Sequence, residues 1–229
     1  MNPVVVDYSL MVLRWIHFFV GVTWIGLLYY FNFIQGAFFA EIDGPTKNIA
    51  ISKLVPRALL YFRMAALYTF LAGVLILGLK GHQAGFGIYS TSWGVSILVG
   101  SLLGTIMFLN VWLIIWPNQK IVIANANQIL AGGAPNPAAA AAGARALLAS
   151  RTNTMFSGPM LLFMGMASHF SFSLSGNSTP LWAAVLVVVG ALELNAIKGK
   201  LGPMTTVRGV IHCAFALAIV LFAVVKFLA

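Results

Sequence analysis

The sequence predicts an all-α integral membrane protein, built as a polytopic bundle of about six transmembrane helices. Hydrophobic residues make up 61% of the 229 residues and charged residues only 7%, whereas a soluble domain has about 25% charged residues. Apolar segments close to the roughly 20 residues that span a bilayer recur along the whole chain. They lie at 9–33, 54–79, 89–116, 154–172, 181–197 and 206–227. We expect them to form one transmembrane domain, residues 1–229.

Lysine and arginine residues predict the orientation, because basic connections between spans stay in the cytoplasm. Nine of the 13 basic residues lie around the first, third and fifth connections, and three lie on the opposite side. Both termini are therefore expected outside, which is the periplasm if the protein belongs to a bacterial inner membrane. The nine are Lys47, Lys53, Arg57, Lys120, Arg145, Arg151, Lys198, Lys200 and Arg208, against Arg14, Lys80 and Lys226.

The third connection, about residues 118–153, is the only long one and is predicted to be a cytoplasmic excursion within the same domain. Glycine and proline residues at 132–137 indicate a break, and the alanine-rich run that follows predicts a short surface helix ending near Ser150. The fourth span should then begin near Thr154, with Pro159 in its first turns, where a missing N–H costs little.

Composition also limits the binding partners. The net charge is +9, but the basic residues are scattered between apolar segments and form no basic face, so we expect no nucleic-acid binding. Membrane lipid is the expected surrounding. Cys213 is the only cysteine, which excludes an internal disulfide and a cysteine-ligated iron–sulfur or zinc site.

Two histidines are predicted at compatible depths in the outer half of the membrane. His17 lies roughly 12 Å below the start of the first span at 1.5 Å per residue, and His169 lies near the outer end of the fourth span. Two imidazoles from different helices are the minimum ligand set for one b-type haem or a metal ion. The alternative is that each is a hydrogen-bonded interior residue. His82, in an outer loop, is expected to be solvated.

A second group of polar residues is predicted in the inner half of the membrane. Arginine or glutamate within a span is costly unless it is paired or hydrated, so Arg63 and Glu193 are expected partners. One interpretation is an ion pair that fixes helix register. The other is a cavity for a planar acidic molecule, in which Arg63, Asn110, Glu193 and His212 have catalytic roles and Glu193 or His212 exchanges protons. The full group is Asn32, Arg63, Asn110, Glu193, Asn195 and His212.

The third span contains small residues at four-residue spacing. Gly100 and Gly104, preceded by Gly94 and Ser96, lie along one stretch of the predicted helix. Small side chains at this spacing allow two helix backbones to approach closely. We therefore predict a helix-packing surface here.

Three stretches together resemble one family, the amino-terminal membrane domain of the bacterial cytochrome-fused urate oxidases, or urate hydroxylases. The first is GTIMFLNVWLIIWPNQKIVI at 104–123, and the second is Ala-Gly-Gly-Ala-Pro-Asn-Pro at 131–137. The third runs from Arg151 through Pro159-Met160-Leu161-Leu162-Phe163-Met164 to Ser168-His169. The first span, with Leu13-Arg14-Trp15-Ile16-His17 and Gly21-Val22-Thr23-Trp24, is similar to the same family and to other membrane redox proteins.

This resemblance implies a membrane oxidoreductase that acts on urate and passes electrons to a c-type cytochrome. His17 and His169 are the histidines that match the family's motifs, and haem b, expected from their compatible depths, is the predicted cofactor. The sequence has no Cys-x-x-Cys-His haem-attachment motif, so the cytochrome c is expected to be a separate protein or part of a larger respiratory or oxidase complex.

Two other classes of function remain open from the sequence. One is a non-catalytic accessory subunit, in which the polar residues only pin the bundle and the glycine surfaces bind a neighbouring protein. The other is a small-molecule transporter or channel that uses the inner cavity, although no inverted repeat or paired broken helices are visible.

Overall fold

The computed structural model describes residues 2–174 and 176–229 and contains no strand in that part of the chain. Seven helices make up the fold. Five of them, α1, α3, α4, α6 and α7, are long and apolar enough to cross a membrane. The prediction of an all-α membrane bundle is therefore confirmed, and the chain is an integral membrane protein. The helices are α1 (Pro3–Glu41), α2 (Gly44–Lys53), α3 (Val55–Ala84), α4 (Ser92–Leu130), α5 (Ala138–His169), α6 (Thr179–Lys198) and α7 (Val207–Leu228).

Helix α5 differs from its prediction and forms the centre of the bundle. The expected surface helix and the fourth span are one continuous helix of 32 residues. Nothing between the alanine-rich run and Pro159 stops a helix, and alanine has the highest helix propensity. Every residue from Arg151 to Ser157 is buried, because α1, α4, α6 and α7 all pack on α5. Polar residues are tolerated there since protein, not lipid, surrounds them.

Helices α1 and α4 are each 39 residues long, about 58 Å at 1.5 Å per residue. This length greatly exceeds the roughly 30 Å of the hydrocarbon core. The end of α4 beyond Trp116 packs on α2 and on the first half of α5, and the hydroxyl of Ser52 donates to Asn127 at 2.6 Å. The predicted excursion is thus helical and packed.

Helix α2, which the sequence did not predict, begins at a side-chain cap. The carboxylate of Asp43 accepts hydrogen bonds from the backbone N–H of Thr46 at 2.7 Å and from its hydroxyl at 3.0 Å. These bonds stabilise the charged form and hold the pKa of Asp43 below its usual value. The cap satisfies one of the unpaired N–H groups at the helix start.

Both long helices contain a π-helical segment, Tyr30–Gln35 in α1 and Asn110–Ile115 in α4, and both segments contact α5. Pro117 follows the second segment and has no N–H to continue the α-helical ladder, which favours a local change of hydrogen-bond pattern. The side chain of Asn118 donates to the carbonyl of Ile114 at 2.7 Å. π segments of this kind are frequent at functional sites.

The glycine surface of α4 packs on α5, as predicted for helix packing. A Cβ at Gly100 would lie 3.2 Å from Cγ and 3.3 Å from the backbone nitrogen of Met164, and a Cβ at Gly104 would lie 3.6 Å from the sulfur of Met160. On the other side of α5, Gly158 lies directly against Ala214 of α7. Gly100 and Gly104 of α4 thus allow a close contact with α5 inside the chain, and they do not form a surface for a neighbouring protein.

Candidate functional site

Three helices are joined by a hydrogen-bonded network at the inner level of the bundle. The side-chain nitrogen of Asn110 in α4 donates to Asn153 of α5 at 2.9 Å and to the carboxylate of Glu193 in α6 at 3.0 Å. Asn110 and Asn153 are buried, and Glu193 is partly buried. The network brings together two of the predicted site residues, Asn110 and Glu193, through an asparagine that the sequence analysis did not single out.

Asn153 also connects this network to the turn of α4 that precedes the π segment. Its side-chain nitrogen donates to the carbonyl of Met107 at 2.9 Å. Asn153 has no exposed surface. Its side-chain oxygen accepts from Asn110 and its side-chain nitrogen donates to Met107, both without water. This arrangement holds the Asn110 amide in one orientation and turns it toward Glu193.

A second set of hydrogen bonds joins α1 to α5 near the same level. Asn32 donates to the carbonyl of Leu28 at 2.9 Å and to the hydroxyl of Ser150 at 2.8 Å. The hydroxyls of Tyr29 and Ser157 lie 2.8 Å apart. We use the name polar layer for five residues of these two sets together with the neighbouring Arg151: Asn32, Asn110, Ser150, Arg151, Asn153 and Glu193.

Arg151, which the sequence analysis counted among the basic residues around the third connection, is buried within the bundle. It is 8% exposed, and its Nε and Nη1 atoms are buried without a hydrogen-bond partner in the described part of the chain. Buried acceptors without a protein partner also occur at Oδ1 of Asn32 and Oε1 of Gln35. Unpaired buried polar atoms call for a bound water, ion or ligand.

Arg63 and Glu193 have different partners from those predicted. The guanidinium of Arg63 stacks over the ring of Trp116 at 3.8 Å, and the amine of Lys120 lies 5.8 Å from the same ring. A cation over a tryptophan face is stabilised by the ring quadrupole. Glu193 instead accepts a hydrogen bond from Asn110, so the predicted Arg63–Glu193 ion pair is not formed. Trp116 and Lys120 are four residues apart and therefore lie on the same helix face. This spacing was the sign in the sequence of the Lys120–Trp116 contact.

The histidines lie apart from the polar layer. His17 faces α3, where a Cβ at Gly73 would lie 3.2 Å from its ring, and its Nδ1 atom is buried without a partner. His169 is exposed at the end of α5, and His212 is exposed on α7. His82 is also exposed, in the last turn of α3. No hydrogen bond joins His212 to Glu193 in the part of the chain that the structure describes.

A haem held between His17 and His169 stays a prediction, and the structure shows no cavity lined by both histidines among those described below. The packed side of the His17 imidazole faces a glycine of α3, and α3 packs on α1 rather than extensively on α5, which carries His169. Two cavities of about 530 and 510 Å³ are lined by neither histidine. Within residues 2–174 and 176–229, no three His, Cys, Asp or Glu side chains are grouped to hold a metal ion.

The cavity of about 530 Å³ is a groove between α1, α5 and α7. Tyr29 and Phe33 form its α1 wall, and Phe215 and Ile219 of α7 are each 68% exposed at its rim. Its α5 wall consists of Thr154, Gly158 and Leu162. We call this space the α1/α5/α7 groove; its walls are almost entirely apolar, and its rim faces the lipid side of the bundle.

Comparison with known proteins identifies the segment that carries the network. A family model described as urate oxidase N-terminal matches residues 84–228. This match includes α4 to α7, and with them Asn110, Arg151, Asn153 and Glu193, but not α1 or most of α3. No curated protein and no solved structure matches the chain. Because the matched residues are more than half of the sequence, the chain belongs to the urate oxidase N-terminal family.

Proposed function

We propose that the chain is the membrane part of a urate-oxidising redox system in a bacterial inner membrane, with a separate c-type cytochrome as electron acceptor. The observation that carries this proposal is the Asn110–Asn153–Glu193 network, which lies inside the segment matched by the family model. Amides and a carboxylate are suited to bind the N–H and carbonyl groups of a planar acidic purine.

Glu193 is the group proposed to exchange a proton with the substrate. Oxidation of urate with water as the oxygen donor removes two electrons from the purine and releases two protons. Two molecules of oxidised cytochrome c each accept one electron, and the Glu193 carboxylate accepts the first proton before passing it to solvent. Asn110 orients this carboxylate through its hydrogen bond at 3.0 Å.

Haem b ligated by His17 and His169 stays a prediction that is separate from the urate chemistry. No step of the proposed reaction passes through haem. An optical spectrum of the purified protein, with haem quantitation, tests for the cofactor directly. Loss of a reduced-minus-oxidised signal in His17→Ala or His169→Ala would support the ligand assignment that the sequence predicted.

The reaction is tested with the full chain in detergent or nanodiscs, with urate and oxidised cytochrome c. Wild type should consume urate and reduce cytochrome c in a 1:2 ratio. Glu193→Gln should lose turnover while it keeps the hydrogen bond from Asn110, and Glu41→Gln, at an exposed carboxylate, should retain it. Full turnover in Glu193→Gln, or a folded wild-type protein that neither binds nor oxidises urate, contradicts the proposal.

A further inference from the structure

Arg151 is a buried cation without a counter-ion in the protein. The chain has four acidic residues, and each is engaged or exposed elsewhere. Asp7 pairs with Gln83 at the far end of α3, Asp43 caps α2, Glu193 binds Asn110, and Glu41 is exposed. An unpaired charge is costly within a membrane protein, so an anion from outside the chain would stabilise Arg151.

The position of Arg151 along α5 corresponds to the headgroup level of a bilayer. From Arg151 to His169 the helix contains 19 residues, about 28 Å at 1.5 Å per residue. The hydrocarbon core is about 30 Å thick. If His169 lies at the outer boundary, as the sequence predicts, Arg151 lies near the inner boundary, where the phosphates of the inner leaflet are found.

Helical register aligns Arg151 with the α1/α5/α7 groove. Thr154, Gly158 and Leu162 line the groove and lie three, seven and eleven residues after Arg151, on the same helix face. Arg151 is not itself a lining residue, but it lies on this face of α5 about one turn before Thr154, beyond the predicted inner end of the groove.

We propose that Arg151 and the α1/α5/α7 groove bind one anionic phospholipid of the inner leaflet, with its phosphate on the guanidinium and one acyl chain along the groove. Charge and shape together select this ligand. A neutral lipid or quinone would leave the guanidinium uncompensated, and a free phosphate would leave the apolar groove empty. Basic pockets between helices on the cytoplasmic side are suited to anionic headgroups, and guanidinium binds phosphate in bidentate geometry. This site is independent of the proposed urate chemistry.

Native mass spectrometry of the full chain in detergent micelles tests the site by titration with phosphatidylglycerol and with phosphatidylcholine of the same acyl chains. Wild type should bind the first phosphatidylglycerol at least about tenfold more tightly, which corresponds to one charge-assisted contact. Arg151→Gln should remove this preference. Arg145→Gln is the matched control, because Arg145 is exposed on the same helix and should keep the preference.

Two further measurements distinguish the contribution of the Arg151 charge from that of the groove. Neither of them requires Arg151→Gln to fold. Ala218→Phe, in the α7 wall, keeps Arg151 but fills the groove, and it should weaken binding of both lipids. Glycerol phosphate at millimolar concentration should not displace the bound phosphatidylglycerol. Equal affinity of wild type for the two lipids, an unchanged preference in folded Arg151→Gln, unaltered binding in Ala218→Phe, or full displacement by glycerol phosphate each overturns the proposal.

Discussion

Asn153→Ala should destabilise the bundle through the network between α4, α5 and α6. The substitution removes the acceptor for Asn110 at 2.9 Å and the donor to the carbonyl of Met107 at 2.9 Å. Asn153 has no exposed surface, so water cannot readily replace either bond. The carbonyl of Met107, in the turn before the π segment, then loses its side-chain donor.

The expected cost is worked from these two bonds. Side-chain hydrogen bonds in a membrane bundle contribute about 0.6 kcal/mol on average and up to about 1.7 kcal/mol. Two of them give about 1–3 kcal/mol in the free energy of unfolding. The coupling between Asn110 and Asn153 alone, which share one bond, should be about 0.6 kcal/mol or somewhat more in a double-mutant cycle.

Unfolding by sodium dodecyl sulfate in mixed micelles, followed by tryptophan fluorescence, measures these values for Asn110→Ala, Asn153→Ala and the double variant. Asn118→Ala is a matched control, since its side chain donates to the carbonyl of Ile114 within its own helix and does not join two helices. A cost for Asn153→Ala no larger than that of the control, together with strictly additive effects in the cycle, would refute the reasoning.

Of three other predictions, two concern close packing at glycines and one concerns the cap of α2. Gly100→Ala should lower the free energy of unfolding by about 1–3 kcal/mol because the nearest atoms include α5 backbone, whereas Gly104→Ala should be tolerated in the same detergent titration. Gly73→Ala should lower the thermal midpoint relative to Gly21→Ala, since only the former meets the packed imidazole at 3.2 Å; equal midpoints would contradict this. Asp43 has a lowered pKa, so its contribution to α2 should be present above the unfolded pKa of about 3.9 and lost as the pH falls through the lower folded value. Amide exchange of α2 measures this loss, which should be absent in Asp43→Asn.

The membrane class and part of the site could be predicted because they depend on local composition. Length and hydropathy define the spans, and an asparagine or glutamate in an apolar segment must find a polar partner. Asn110 and Glu193 were grouped for that reason, and they do form a hydrogen bond. Depth along a helix, however, does not specify which way a side chain points. Arg63 therefore stacks on Trp116, while His212 is exposed on α7.

Helix α5 was harder to predict because its burial depends on its neighbours. Arg151 follows an alanine-rich run in a segment with modest hydropathy, and such a segment is typical of a surface connection. In the bundle, four other helices surround it, so serine, threonine, asparagine and arginine occupy a protein interior. The packing of these helices around α5 buries the segment, and no local sequence pattern indicates that burial.

The π segment in α4 makes the exact number of residues between Asn110 and Trp116 important. Successive residues of a helix are rotated by about 100°, and a π segment accommodates what amounts to a one-residue insertion in the α-helical pattern. Deletion of a single residue there would rotate the helix beyond it by about 100° relative to α3. Trp116 would then turn away from Arg63, while the glycine surface before the segment would keep its place on α5. Chains of this family that keep the Arg63–Trp116 contact should therefore vary in side chain within this segment more readily than in its length.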